Sequence, residues 1–317
     1  MEELKIRTGE NGKVYYNGID FFKLICAFLI VFLHTYCYDW GNLGFVIKNG
    51  ITNIGVPFFF IVSGFFFGNG LIKQNSEKER KNYFWNYEKK LIIMYAIWSV
   101  VTLPISIYNL YMAKGKMSIV MYILYIVRGF FFSGSLGIYW YILALIYGAL
   151  IIFVFKKFNK EKVLYIISLA FFIYGLLYNG EIINPDSILY KLIDIPFGSE
   201  RNFLTVGLLY MNIGVIFSNN VKKITRLYSN NNHSISVTWV LLLVFTALKI
   251  LEIFFLPIHF LQAFQAIALF LIAMNTKFSF LDGKTQNIRK ASTALYMLQF
   301  PFILLFDYYL KRGGKYG

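Results

Sequence analysis

Apolar residues run along this chain in long, unbroken blocks, at about 21–38, 53–72, 90–112, 138–156, 162–178, 203–218, 236–256, 260–275 and 292–310. Short polar segments separate them. Blocks of this length without strict alternation mark helices that cross a bilayer, whereas barrel strands show alternating stretches of about ten residues. The pattern therefore predicts an all-α integral membrane protein, a polytopic helical bundle of about nine or ten transmembrane helices. One further apolar stretch, SIVMYILYIVRGFFFSGS at 118–135, is short and interrupted by Arg128. No repeat period and no soluble second domain is visible. The reading is one membrane domain over residues 1–317, with the bundle at about 18–310.

Composition agrees with the pattern. The 317 residues are 58% hydrophobic and only 15% charged, with a mean hydropathy of +0.58, against about 45–50% and 25% for a soluble domain. The net charge of +15 does not point to nucleic acid, because the cations gather in short loops between apolar blocks, where they orient the protein and meet lipid headgroups. If 118–135 stays on the surface, the loops carry 20 Lys and Arg on one side and 9 on the other. If it crosses, the two sides carry about 15 and 14. Cytoplasmic loops hold the excess of cations, so the expectation is nine crossings, a cytoplasmic amino terminus and a non-crossing outer helix at 118–135. The polar amino terminus shows no cleavable signal, and Cys26 and Cys37, eleven residues apart, are about 16 Å apart on one helix, beyond disulfide reach.

Polar residues inside the blocks carry the candidate chemistry. The first block reads GIDFFKLICAFLIVFLH, with Lys23 and His34 eleven residues apart. Eleven helical residues make three turns plus roughly 20°, so the two side chains share a face about 16 Å apart along the axis. Lys23 can snorkel to the headgroups. His34 reads either as a general base, since imidazole titrates near neutrality, or as a structural residue bonded to Tyr36 or Asp39. Lys89 and Lys90 close a basic stretch at 73–90 and stand at the mouth of the third block, where phosphates of a ligand would meet them. Trp140 opens a block between Tyr139 and Tyr141, and Arg201 and Asn202 precede another. Glu252 lies deep in TALKILEIFFLP with Lys249 three residues before it, either neutralised by that lysine or in contact with a substrate. His233 and His259 read as solvated loop residues. The sequence has no metal-ligand spacing, and no metal is expected.

Together these landmarks resemble the acyltransferase-3 family of integral membrane acyltransferases. The signature is a basic residue, ten intervening residues and a histidine (Lys23 to His34), then VPFFFIVSGFFFG, then a basic entry to the third span. Within that family the chain is similar to the membrane domain of the vancomycin-resistance serine racemases. The shared features are the GID-F-K start, the VPFFF block, the W-Y span, an RN before a span and S-LY opening the last one. The resemblance implies that an acyl-CoA, commonly acetyl-CoA, approaches from the cytoplasm and meets Lys23, Lys89 and Lys90. It further implies that His34 removes the proton of an acceptor hydroxyl. The acceptor would be an envelope carbohydrate, met by Trp140, Arg201, Asn202 and Glu252 in a bacterial cell membrane. A rival reading is a binding or transport module for a small amino acid such as serine; a third is a non-catalytic partner for polysaccharide export. In a late span, where the family often has histidine, this chain has Gln299.

Overall fold

A computed structural model of the chain describes residues 16–34, 41–230, 233–255, 259–281 and 284–313. Among them every apolar block is helical, and no strand occurs. In chain order the helices are α1 (Asn17–Leu33), α2 (Gly41–Val46), α3 (Gly55–Ile72), α4 (Glu77–Val101), α5 (Leu103–Lys114), α6 (Ile119–Arg128) and α7 (Trp140–Lys157). They continue with α8 (Glu161–Asn179), α9 (Ile188–Asp194), α10 (Leu208–Asn219), α11 (Val221–Asn230), α12 (Ser234–Phe255), α13 (Leu261–Asn275) and α14 (Thr285–Gly313). Within the described residues, α7, α8, α12 and the run Gly41–Ile72 are each long and apolar enough to cross a membrane. Two bent pairs pass the same test jointly: α4 with α5, bent by 59°, and Phe203–Asn219 with Val221–Ser229, bent by 71°.

The helices form two compact units. The first comprises Met1–Phe58, Thr225–Ala247 and Phe264–Gly317; the second comprises Phe59–Ile224 and Leu248–Ala263. In the first unit α1 lies along α14, tied by Arg289 Nε donating to Asp20 Oδ1 at 2.7 Å. The two residues are paired near the start of each helix, so α1 and α14 run in the same direction. The glycine of the GID start has a steric reason: a Cβ on Gly18 would sit 2.3 Å from the carbonyl oxygens of Ala273 and Thr276. Beside it Asn17 exchanges two hydrogen bonds with the Phe278 backbone, at 2.9 and 3.2 Å. Gln265 ties two more segments of this unit by donating to Gly50 O and Thr246 Oγ1, both at 3.1 Å.

In the second unit α4 runs antiparallel to α7. Glu77 faces Lys157 at 3.5 Å, Phe84 stacks on Phe153 with ring centroids 4.2 Å apart, and Trp98 meets Tyr139. The start of α4 corrects the sequence reading, which took 73–90 as a loop. Ser76 caps the helix by accepting from Glu79 N, and Glu79 Oε2 accepts from Asn75 N in return, a reciprocal cap that nucleates helix within polar sequence. Phe84, Glu88, Tyr95 and Ser99 then recur at helical spacing and form the buried face.

The antiparallel pairing also fixes what 118–135 does. Ser99, near the end of α4, shares a hydrogen bond with Ser135 at 2.6 Å, and Ser135 N donates to Tyr95 Oη. The chain thus leaves α4 and re-enters α7 at the same end of the unit. The stretch itself is ten residues of α-helix and a five-residue π turn, about 22 Å long against a hydrocarbon core of about 30 Å. Arg128 is held by the carbonyls of Asp194 and Pro196, at 2.8 and 3.2 Å.

The VPFFFIVSGFFFG block is explained by close packing. A Cβ on Gly64 would lie 2.1 Å from the carbonyl oxygen of Met211, one on Gly68 would meet Ser218 Oγ, and one on Gly214 would meet Ile61 O. Small residues four apart on α3 and α10 let the two backbones touch, as helices do in lipid, where burial of apolar surface gives no drive of its own. Gly64→Val is expected to destabilise the protein by about 1–3 kcal/mol, the usual effect of overpacking, read as a lowered melting temperature in detergent. Melting as wild type would show that the α3–α10 contact does not limit stability.

Candidate active site

The expected geometry of Lys23 and His34 rests on an unbroken helix, and α1 supplies one. His34 is its C-cap, with φ −96° and ψ −3°, close enough to helical to keep the register. The stripe between the two passes through Ala27 and Ile30, both buried, and opens to the surface at His34. Lys23 is half-buried, within electrostatic reach of the Asp20–Arg289 pair. His34 stands at the far end, exposed. Tyr36 and Asp39, the partners expected for it, lie outside the described residues. A base at one end of a helical stripe and a cation group at the other can engage two parts of one extended ligand.

A second polar constellation lies in the second unit, and only half of it was expected. Lys249, fully buried, donates to Glu252 Oε2 at 2.6 Å and contacts His259 Nδ1 at 2.6 Å. Glu252 Oε1 accepts from the backbone N–H groups of Phe260 and Leu261, at 2.9 and 3.1 Å, which open α13. The carboxylate thus neutralises a buried ammonium and satisfies two helix-start donors that would otherwise lack acceptors. Burial, with the Lys249 charge and then Arg201 adding to it against Glu252, holds His259 down, to about 4. An ammonium can only donate, so His259 Nδ1 is the acceptor and the ring is neutral. Glu252 also edges an apolar cavity of about 660 Å³, walled by leucines such as Leu176 and Leu251 and by Phe255. The reading of His259 as a solvated loop residue is corrected. Its place depends on how the chain turns back after α12, which no local pattern encodes.

The remaining candidates divide. Asn202 is buried and caps the π turn Phe203–Gly207, accepting from Leu204 N and Thr205 N and donating to Ser199 O. Its hydrogen-bonding capacity goes largely to the backbone. Arg201 is exposed, 3.5 Å from Glu200, and acts on His259, so Arg201 and Glu252 belong to one electrostatic neighbourhood. Trp140 opens α7 with its ring 5.7 Å from that of Phe60. Lys89 and Lys90 lie midway along α4, exposed and off its buried face, immediately before its apolar half. They belong to the second unit and Lys23 to the first. Among the described residues no group of His, Cys, Asp and Glu is arranged to hold a metal.

Comparison with known proteins places these residues in context. Residues 16–315 match the acyltransferase-3 family, described as an acyltransferase domain. Among curated proteins, an amino-acid racemase of Enterococcus faecalis is 29% identical over 68% of this chain and 30% of its own length. A serine/alanine racemase of Enterococcus gallinarum is 33% identical over 29% of this chain and 13% of its own. The matches therefore take in less than a third of these relatives. No solved structure matches.

Proposed function

Because the chain belongs to the acyltransferase-3 family and is a helical membrane protein with a histidine, His34, at the end of α1, we propose that it transfers an acyl group, acetyl in the simplest case, from acyl-CoA to a hydroxyl of a cell-envelope carbohydrate. The observation that carries this reading is the continuous α1, which sets Lys23 and His34 at the two ends of one helical stripe. In the proposed reaction a nitrogen of His34 takes the proton of the acceptor hydroxyl as its oxygen attacks the thioester carbonyl. The carbon–sulfur bond then breaks, and the departing thiolate takes that proton from the imidazolium. Removal of a proton by a positioned base typically contributes 10²–10⁴ in rate.

Lys23 then serves the donor phosphates from the cytoplasmic end. Of the four residues expected at the acceptor, Asn202 and Glu252 already spend their polar atoms on caps and on Lys249, which leaves Trp140 and Arg201 as the acceptor contacts. The amino terminus is cytoplasmic in this reading, and the membrane is that of a bacterial cell.

The resemblance to proteins named as serine/alanine and amino-acid racemases supports a second reading, in which the domain admits serine. Purified protein with radiolabelled acetyl-CoA and envelope glycans separates the two. Label transferred to the glycan is the expected result. Serine flux into proteoliposomes without acyl transfer would establish the rival.

A further inference from the structure

We propose that the second unit carries a phosphate-binding pocket where α4 begins and α7 ends. The elements that build it are local and well defined. The reciprocal cap at Ser76 and Glu79 starts α4 and sets Arg80 one turn into it. α7 ends in a reversal in which Lys160 N donates to Phe155 O at 2.8 Å, with Asn159 at φ 53°. Asparagine tolerates that left-handed backbone better than most residues. The stacked rings of Phe84 and Phe153 pin the two helices together close by.

The result is a concavity of about 180 Å³ with an apolar floor of Leu71 and Phe153, rimmed by Arg80, Lys156 and Lys157. That volume suits one phosphate group and falls well short of the 300–1,000 Å³ of a whole small-molecule site. Charge points the same way. Glu77 is the carboxylate of the rim, and it already faces Lys157 at 3.5 Å. Arg80 spends Nε on Gln74 O, and no hydrogen bond to its terminal nitrogens or to Lys156 Nζ occurs among the described residues. Lys156 is half-buried, drawn by Glu161 and, more weakly, repelled by Arg80. Two like charges held together over an apolar floor are stabilised by an anion between them, and guanidinium with ammonium is a pairing suited to phosphate oxygens.

Such a phosphate can come from a lipid headgroup or from a soluble phosphate ester. The inference stands apart from acyl transfer, since it concerns binding alone. The test uses the full chain in neutral detergent, stripped of lipid. It is titrated separately with short-chain phosphatidylglycerol, with adenosine 3′,5′-bisphosphate and with orthophosphate, read by thermal shift and native mass spectrometry. Wild type is expected to bind at least one of these. Arg80→Gln is expected to bind about tenfold more weakly, the scale of one charge-assisted hydrogen bond, and Arg80→Gln with Lys156→Gln to show no binding. Lys114→Gln with Lys116→Gln, a distant surface pair, should bind as wild type. Response to phosphatidylglycerol alone identifies a headgroup site, and response to the bisphosphate alone a soluble ester site. Absence of binding by wild type, or equal binding by the Arg80 variants, overturns the proposal.

Discussion

His34→Ala is expected to lower acyl transfer at least a hundredfold while leaving the melting temperature within a degree or two of wild type. The side chain is exposed at the end of α1, so its loss opens no cavity, and the rate effect follows from the 10²–10⁴ typical of a general base. The loss should appear in kcat, because the proton moves only in the reaction step. Lys23→Gln is expected to differ in kind. A cation that meets the donor acts mainly on binding, so KM for acyl-CoA should rise with kcat little changed. Activity of His34→Ala above about a tenth of wild type would remove the base from the mechanism. A matching fall in melting temperature would instead make the histidine structural.

Glu252→Ala is expected to be among the most destabilising single changes in the protein, by about 3–5 kcal/mol, the usual effect of stripping one partner from a buried ion pair. It leaves the Lys249 ammonium uncompensated and two N–H groups at the start of α13 without their acceptor. The double replacement Lys249→Met with Glu252→Leu should recover much of the loss, since it removes both charges together. A pH dependence follows from His259. Its folded value, about 4, lies below the ordinary histidine range near 6.5. The unfolded chain therefore binds the extra proton first, and stability present above about pH 6.5 is lost as pH falls towards 4. His259→Gln should flatten that part of the profile. If Glu252→Ala melts as wild type yet loses activity, the carboxylate serves a substrate and its place in the pairing is secondary.

Much of the architecture was legible because hydrophobic blocks and loop cations record how a chain meets a bilayer. The helical runs are one case: among the described residues every apolar block folds as helix, as unbroken hydrophobic runs require. The start of α4 was missed although its signal was present, since Ser76 and Glu79 have the spacing of a capping box. The density of lysines hid it. Within the polar sites, legibility followed sequence distance. Lys249 and Glu252 are three apart, and the pairing was one of two readings open. Asp20 and Arg289 are separated by 269 residues and pair only because α1 and α14 lie together, a fact about packing with no local trace. Asn202 has a role the sequence reading did not name: its side chain accepts from the backbone donors at the start of the turn Phe203–Gly207.

The ion pair on α12 also bears on how the protein is made. A lone charge in a nascent span has a cost that reaches about 2.5–3.5 kcal/mol at the helix centre and falls towards the ends, and Lys249 and Glu252 lie in the last third of α12. Lys249 and Glu252 stand at i and i+3 on the same helix, 2.6 Å apart, so α12 brings its own counter-charge and can leave for the bilayer as an electrically neutral segment. Only the second carboxylate oxygen must wait, until the turn after α12 delivers the N–H groups of Phe260 and Leu261. For α12 the order of synthesis and the order of satisfaction are then the same, in contrast to Asp20 on α1, whose partner Arg289 arrives only with α14.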